Sequence, residues 1–210
     1  MTAGSGVISL RPMRYPDARV LVFAKAPIPG EVKTRLIPAL GAEAAADLQA
    51  RLTRRAVEMA VSSNVAPVEI WCSPDDQHPS FRALGLPRRI QRGRDLGERM
   101  ADGFHASLAH SRFAILIGTD CPAMTGDYLR DAAERLAHGE DAVLGPAEDG
   151  GYVLIGLRRY DPRLFAGIAW GTAQVLSATR ARLAQSGCHW HELPYLWDVD
   201  RVEDLERIST

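Results

Sequence analysis

Along the chain, short apolar runs alternate with longer stretches in which apolar residues return every three or four positions. Arg19–Ala24 (RVLVFA) is rich in branched residues and closed by a Pro/Gly cluster, which predicts a buried strand. Ala42–Val61 sets Leu48, Leu52, Ala56, Met59 and Ala60 at helical spacing and predicts a helix. Val68–Cys72 reads as the next strand and Arg88–Gln91 as a short one, and Leu96–Ala109 carries Leu96, Met100, Phe104 and Leu108 on one helical face. Phe113–Ile117 (FAILI) is apolar throughout, the pattern of a central strand covered on both sides. Thr125 is placed to cap a helix running through Leu136, with Gly139 as its stop. Ala142–Leu144 and Tyr152–Leu157 read as strands flanking a polar turn, Thr172–Gln185 as a helix, Cys188–Leu193 as a strand and Arg201–Ile208 as a terminal helix. Strands alternating with helices in this way predict one α/β domain with a mostly parallel sheet covered on both faces. Residues 1–18 carry Gly, Ser and Pro without periodicity and are expected to form a flexible leader, leaving residues 19–210 as the domain.

Composition narrows the function classes. A chain of 210 residues fits a single domain, and one of this size buries about 70% of its unfolded surface, so its core needs no staples. With 25 Lys+Arg against 26 Asp+Glu, bulk charge gives no reason to expect nucleic acid or an anionic membrane as a partner. Cys72, Cys121 and Cys188 are far apart and in no C-x-x-C pair, which argues against a disulfide framework and fits a reducing compartment. No run approaches the roughly 18 apolar residues of a membrane span. Met1–Pro16 also lacks the apolar stretch of a secretory signal, so a soluble, cytoplasmic protein is expected.

Ligands of open α/β sheets collect outside the carboxyl ends of strands, so the loops that follow strands are the places to search. Lys25–Leu36 (KAPIPGEVKTRL) is restricted by two prolines, can turn tightly at Gly30, and brings Lys25, Lys33 and Arg35 within eleven residues. A stiff loop with converging cations suits a di- or triphosphate; a solvated surface loop is the other reading. It matches neither G-x-x-x-x-G-K-[ST] nor G-x-G-x-x-G, which weakens P-loop and dinucleotide readings. Gln91–Met100 (QRGRDLGERM) offers Gly93 and Gly97, where backbone could approach a planar ligand, while Asp95 and Glu98 fit a capping box. Gly118–Pro122 (GTDCP) puts Thr119 and Asp120 directly after FAILI. A carboxylate there suits Mg²⁺ or Mn²⁺ shared with a ligand's phosphates, or alternatively forms the turn before Pro122. Cys121 has no base beside it and reads as a small buried filler.

Gly145–Tyr152 (GPAEDGGY) contains Asp149-Gly150, an ordinary hairpin signal, but Glu148 and the Gly150–Gly151 pair also suit contact with a small acceptor. In Trp197–Leu205 (WDVDRVEDL), Asp200 and Glu203 fit a capping box for the last helix. Asp198 and Asp200 share one side if this segment is extended, and either could complete a metal site with Asp120. No H-E-x-x-H is present, and His189 and His191 read as surface or packing residues.

Taken in order, FAKAPIPGEVKTRL (Phe23–Leu36), QRGRDLGERM (Gln91–Met100), GTDCP (Gly118–Pro122), GPAEDGGYVLIG (Gly145–Gly156) and DVDRVEDL (Asp198–Leu205) resemble the bacterial GT-A-fold glycosyltransferase-like proteins, the nucleotide-diphospho-sugar transferases. The same loops also resemble the sugar-phosphate, molybdopterin (MobA-like) and phospholactate-type nucleotidyltransferases of the wider superfamily. The resemblance spans residues 19–208 and implies a three-layer α/β/α fold of the GT-A type. It implies that Lys25, Gly30, Lys33 and Arg35 meet the phosphates, that Gln91, Gly93 and Gly97 face the base, and that Thr119 lines the cofactor site. It further implies Asp120 as principal metal ligand, with Asp200 or Asp198 beside it, and Glu148, Asp149, Gly150, Gly151 and Tyr152 toward the acceptor. Where glycosyltransferases of this fold carry D-x-D, this chain has one carboxylate, in Thr119-Asp120-Cys121-Pro122.

The expected activity is Mg²⁺- or Mn²⁺-dependent transfer from a nucleotide or nucleotide-sugar donor, with Lys33 and Arg35 neutralising charge on the departing group. In glycosyl transfer the sugar C1–O bond breaks, and Glu148 or Asp149 deprotonates the acceptor. In nucleotidyl transfer a substrate phosphate attacks the α-phosphorus and pyrophosphate leaves, which needs positioning more than a protein base. A nucleotide-binding protein without turnover is the third reading.

Overall fold

The branched apolar runs pair into a single sheet. The computed structural model describes residues 12–208. Its strands are β1 (Arg19–Lys25), β2 (Val68–Ser73), β3 (Arg88–Ile90), β4 (Ala114–Ile117), β5 (Ala142–Pro146), β6 (Tyr152–Leu157) and β7 (Trp190–Glu192). They are ordered β3-β2-β1-β4-β6-β5-β7. Only β6 runs against its neighbours; β1–β2, β1–β4, β2–β3 and β5–β7 pair in parallel.

The helices are α1 (Ile37–Leu40), α2 (Ala42–Ser62), α3 (Pro79–Arg82), α4 (Leu96–Leu108), α5 (Gly126–His138), α6 (Val175–Gln185) and α7 (Asp204–Ile208). Local chemistry sets their ends. The Thr125 hydroxyl accepts from the Tyr128 amide at 3.2 Å to start α5, and Gly139 at φ +123° closes it. Asp95 caps α4 by accepting from the Glu98 amide at 2.8 Å, while Glu98 accepts from the Arg94 amide, one residue outside a strict capping box. The last helix starts later than the pattern suggests. The Asp204 carboxylate accepts from the Asp200 and Arg201 amides at 3.0 and 2.7 Å, so the expected Asp200–Glu203 capping box does not form and the Asp200 side chain is released for another partner. Likewise α6 begins at Val175 rather than Thr172, whose hydroxyl donates to the Ala169 carbonyl and accepts from the Gln174 amide in a turn of its own.

Alternation along the central strands sends side chains to both faces. Val20, Val22, Ile70, Ile115 and Ile117 pack with Val57 and Ala60 of α2, Phe81 of α3, and Leu129, Ala133 and Leu136 of α5. Leu21, Phe23, Trp71, Leu116 and Leu144 pack with Met100 and Phe104 of α4 and with Leu176 and Leu183 of α6. The fold is therefore the expected three-layer α/β/α arrangement; each large core side chain contributes roughly 1.5–3 kcal/mol by burial. A third, smaller cluster joins Leu36, Leu48 and Leu52 to Val199, with Trp197 and Leu205 against it. It fastens the loop after β1 and the C-terminal segment to the start of α2.

Of the expected flexible leader, residues 1–11 lie outside the described residues. The remainder is held to the domain: the Arg14 and Tyr15 amides donate to the Asn64 and Val65 carbonyls, and the Tyr15 ring meets Phe113 edge-on at 5.4 Å. No helix among the described residues is long and apolar enough to cross a membrane.

Candidate active site

Topology decides which loops meet. Since β1, β2, β3, β4, β5 and β7 all point the same way, the five segments singled out by composition emerge at one edge of the sheet. After β1 the chain moves outward to β2 and β3, then returns past β1 to β4. This reversal leaves a crevice between the ends of β1 and β4, the switch point where open α/β sheets take ligands. The loop from Lys25 enters it from one side and Gly118–Pro122 from the other.

At its centre Lys33 adopts a left-handed backbone (φ 48°, ψ 39°), uncommon for a residue with a side chain. Its side chain is almost fully buried, and the ammonium forms an ion pair with Asp120 Oδ1 at 2.8 Å and donates to the Val199 carbonyl at 2.7 Å. The Val199 amide in turn donates to the Asp120 carbonyl at 2.8 Å, closing a ring of contacts between three distant segments. One turn on, Arg35 pairs with Asp200 in a largely exposed contact. Two of the carboxylates expected to hold a metal, Asp120 and Asp200, are thus paired with cations expected to hold phosphate.

Asp198 lies between them. Leu196 pairs with Ala147 as an isolated parallel bridge, one residue out of the β5–β7 register, and the segment that follows places Asp198 within electrostatic reach of Asp149. Burial, and then the negative charges of Asp149, Asp120 and Asp200, push the Asp198 carboxyl up to about 6. Crowded, half-buried oxygen donors of this kind suit a hard divalent cation. Among the described residues no three His, Cys, Asp or Glu side chains are grouped so as to hold a metal ion by themselves.

The remaining predicted residues fall at varied places. Lys25 is exposed at the end of β1, level with Ser73 of β2. Gly30 turns the loop at φ +88° with open space around it. Gln91 follows β3, and its amide nitrogen donates to the Trp71 carbonyl at 2.7 Å and more weakly to that of Ala24. Gly93 needs its lack of a side chain: φ is +143°, and a Cβ would stand 2.7 Å from the Arg99 amide nitrogen. Gly97 is buried in the first turn of α4, where a Cβ would meet the Trp170 indole nitrogen at 2.3 Å, so the structure gives it a packing role.

On the acceptor side, Asp149 is exposed and accepts from the Gly151 amide at 2.8 Å. Glu148 makes a two-pronged pair with Arg207 at 2.8 and 3.2 Å, which holds its carboxyl below the usual range. Gly150 lies against Ala173 too closely for any Cβ. The Tyr152 ring packs in the second core layer with its hydroxyl 3.9 Å from Met100 Sδ, and burial raises its pKa. Cys121 is buried and pushed up to about 11, mainly by that burial, which suits an inert filler.

Thr119, expected at the cofactor site, is only 5% exposed, and its hydroxyl accepts from Gln49 of α2 at 3.0 Å. Gln49, Arg55 and Arg99 are contributors that the sequence pattern does not single out. Arg55, also on α2, donates to the Pro122 carbonyl at 2.8 Å and steadies the same loop. Arg99 donates to the Gly93 carbonyl and the Ser73 hydroxyl, both at 3.2 Å, placing a guanidinium beside the ends of β1 and β2. The legible signal for Gln49 is a polar residue on the core-facing side of an otherwise apolar helical stripe.

With this geometry in hand, comparison with known proteins gives a consistent picture. Residues 56–172 match the family model DUF2064, described as an uncharacterized protein conserved in bacteria. No curated protein matches the chain. Among solved structures, a protein from Desulfovibrio desulfuricans G20, provisionally named a nucleotide-diphospho-sugar transferase, is 33% identical over 92% of this chain and 86% of its own, with a TM-score of 0.86. A CMP:2-keto-3-deoxy-manno-octonic acid synthetase solved with CTP shares the fold at 11% identity, covering 91% of this chain and 96% of its own, TM-score 0.62. So does the glucosyl-3-phosphoglycerate synthase of Mycobacterium tuberculosis, solved with Mn²⁺, UDP and glucosyl-3-phosphoglycerate: 11% identity, 91% of this chain and 75% of that one, TM-score 0.54.

Proposed function

The chain belongs to the bacterial family DUF2064, and from that footing we propose that it is a divalent-metal-dependent transferase whose donor is a nucleotide-diphospho-sugar. The observation that carries this reading is the meeting of Lys33 and Arg35 with Asp120 and Asp200 in the crevice between β1 and β4. Cations and carboxylates paired in this way are the two halves of a site for a metal and a diphosphate. The name carried by the Desulfovibrio protein, 33% identical, points the same way.

In this reading Lys33, Arg35 and Lys25 take the diphosphate oxygens, with Gly30 allowing the loop to close on them, and Gln91 and Gly93 line the base side. Asp120 with Asp200 or Asp198 would hold Mg²⁺ or Mn²⁺, which when bound supplies positive charge to the leaving diphosphate. Lys33 and Arg35 stabilise the same developing charge from the protein side. The sugar C1–O bond breaks, and the acceptor hydroxyl loses its proton to a carboxylate of the Glu148–Gly151 turn. Asp149 fits that task better than Glu148, since Arg207 makes Glu148 a weaker base. Gly150 lets this turn pack against Ala173, and the Gly151 amide holds Asp149 in place beside the acceptor.

A second reading, nucleotidyl transfer to a phosphorylated small molecule, is favoured by one observation. The loop after β4 carries a single carboxylate rather than D-x-D, and its partner Asp200 comes from the far end of the chain. Product analysis separates the two. With sugar nucleotides and Mn²⁺, the proposal expects release of the nucleoside diphosphate. Pyrophosphate from a nucleoside triphosphate and a sugar phosphate, with no release from sugar nucleotides, would transfer the assignment to the second reading. Nucleotide binding with neither product would leave a binding protein.

A further inference from the structure

The C-terminal edge of β4 carries a buried polar chain that core packing alone does not require. Gln49 and Thr53 of α2 and Thr119 are 4%, 3% and 5% exposed, amid the apolar layer between α2 and the sheet. Burying an amide and two hydroxyls is unfavourable by about 1–3 kcal/mol each unless they are satisfied. Here both amide hydrogens of Gln49 are used, one on the Thr119 hydroxyl at 3.0 Å and one on Thr53 at 3.4 Å. With a lone pair of Thr119 taken by Gln49, the single hydroxyl proton is turned the other way, toward Asp120 Oδ1 at 3.4 Å. The same oxygen faces the Lys33 ammonium at 2.8 Å, so the hydroxyl and the ammonium converge on Oδ1.

We infer that Gln49 is a positioning residue for the Asp120 carboxylate, acting through the Thr119 hydroxyl: it fixes the rotation of the carboxylate so that one oxygen is held by the protein and the other is presented to the crevice. This rests on the reading of Asp120 as a metal-holding carboxylate given above. Partners behind a ligating group commonly set its orientation and strength in this way. Thr119, predicted as a cofactor contact, then serves from behind Asp120 rather than by touching the ligand.

The test is Mn²⁺ alone, titrated into the full chain and followed by loss of the electron paramagnetic resonance signal of free Mn²⁺, with melting temperatures recorded alongside. Gln49→Met and Thr119→Val should each weaken Mn²⁺ binding by about tenfold, and Thr119→Ser, which keeps the hydroxyl, should stay within about twofold of the unmodified chain. Because Gln49 acts through Thr119, the double variant should bind no worse than either single one. Should Gln49→Met fail to fold, Gln49→Asn keeps the amide, shortens its reach and is expected to show the same loss. A Gln49 variant that binds Mn²⁺ as tightly as the unmodified chain overturns the inference, whatever its melting temperature. So does a double variant whose losses simply add. If the unmodified chain takes up no Mn²⁺, the metal reading itself falls and this inference with it, an outcome distinct from unchanged affinity in the variants.

Discussion

Individual residues in the crevice are in electrostatic and conformational tension, and that tension has measurable consequences. Asp198 sits near 6 in the folded chain against an ordinary value of 3.8. The folded state therefore binds this proton more tightly than the unfolded state does. Its contribution to stability falls as pH rises from about 4 through about 6 and stays low above that. Removing the charge should help: Asp198→Asn is expected to stabilise the ligand-free protein at pH 7 by roughly 1 kcal/mol, a few degrees in melting temperature, after allowance for its partial exposure. The gain should shrink at pH 4, and a lower melting temperature at pH 7 would contradict the assignment. Gly97→Ala should destabilise by about 1–3 kcal/mol in urea unfolding, because Trp170 leaves no room for a methyl group. The charged residues Lys33, Arg35, Asp120 and Asp200 were legible in the sequence because they stand in loops after strands. The place of Gln49 on the core-facing side of a helical stripe was visible but its partner was not, since one polar residue there carries no information about what faces it. Nor was the Glu148–Arg207 pair, whose members are 59 positions apart and meet only through the packing of α7.

The elements joining these residues explain how the segments of the crevice are held together. The turn at Lys33–Leu36, the start of α2 and the strand-like segment through Val199 share one small apolar cluster. Leu36 is fully buried in it, one residue from Arg35 and three from Lys33. Leu36→Ala should cost about 2–4 kcal/mol in chemical unfolding and loosen nucleotide binding, although the side chain touches no polar group of the crevice. Unchanged nucleotide affinity in a folded Leu36→Ala protein would detach this cluster from the site. Most strands and long helices begin and end close to where periodicity places them, because burial on one or both faces dictates that pattern. The departures fall where side chains compete for backbone groups. Thr172 delays α6 by bonding locally, and Asp204, the first residue of α7, takes the Asp200 and Arg201 amides where an Asp200 cap is expected. Polar residues that cap, turn and pair equally well give weak local signals.

For the molecule as a whole, the alternation of strands and helices announced a mostly parallel sheet, but not its order. Placement of β6 antiparallel between β4 and β5 is set by pairing between distant strands, and no local pattern encodes that choice. The order matters because it creates the reversal at β1 and β4 and sets the C-terminal segment beside the loop after β5. On the function proposed above, carboxylates and cations drawn from across the chain form one site for a metal and a nucleotide diphosphate. Each half now neutralises the other, so metal and diphosphate should each release partners for the other and bind cooperatively. The most direct measurement is calorimetric titration with UDP, CDP, GDP and ADP, with and without Mn²⁺, on the unmodified chain and on Asp120→Ala. The account predicts that Mn²⁺ tightens binding of the preferred diphosphate by about tenfold or more in the unmodified chain, within the usual range of coupling between sites, and that Asp120→Ala abolishes this gain. Binding of every diphosphate that is indifferent to Mn²⁺, or a gain that survives unchanged in Asp120→Ala, would contradict it.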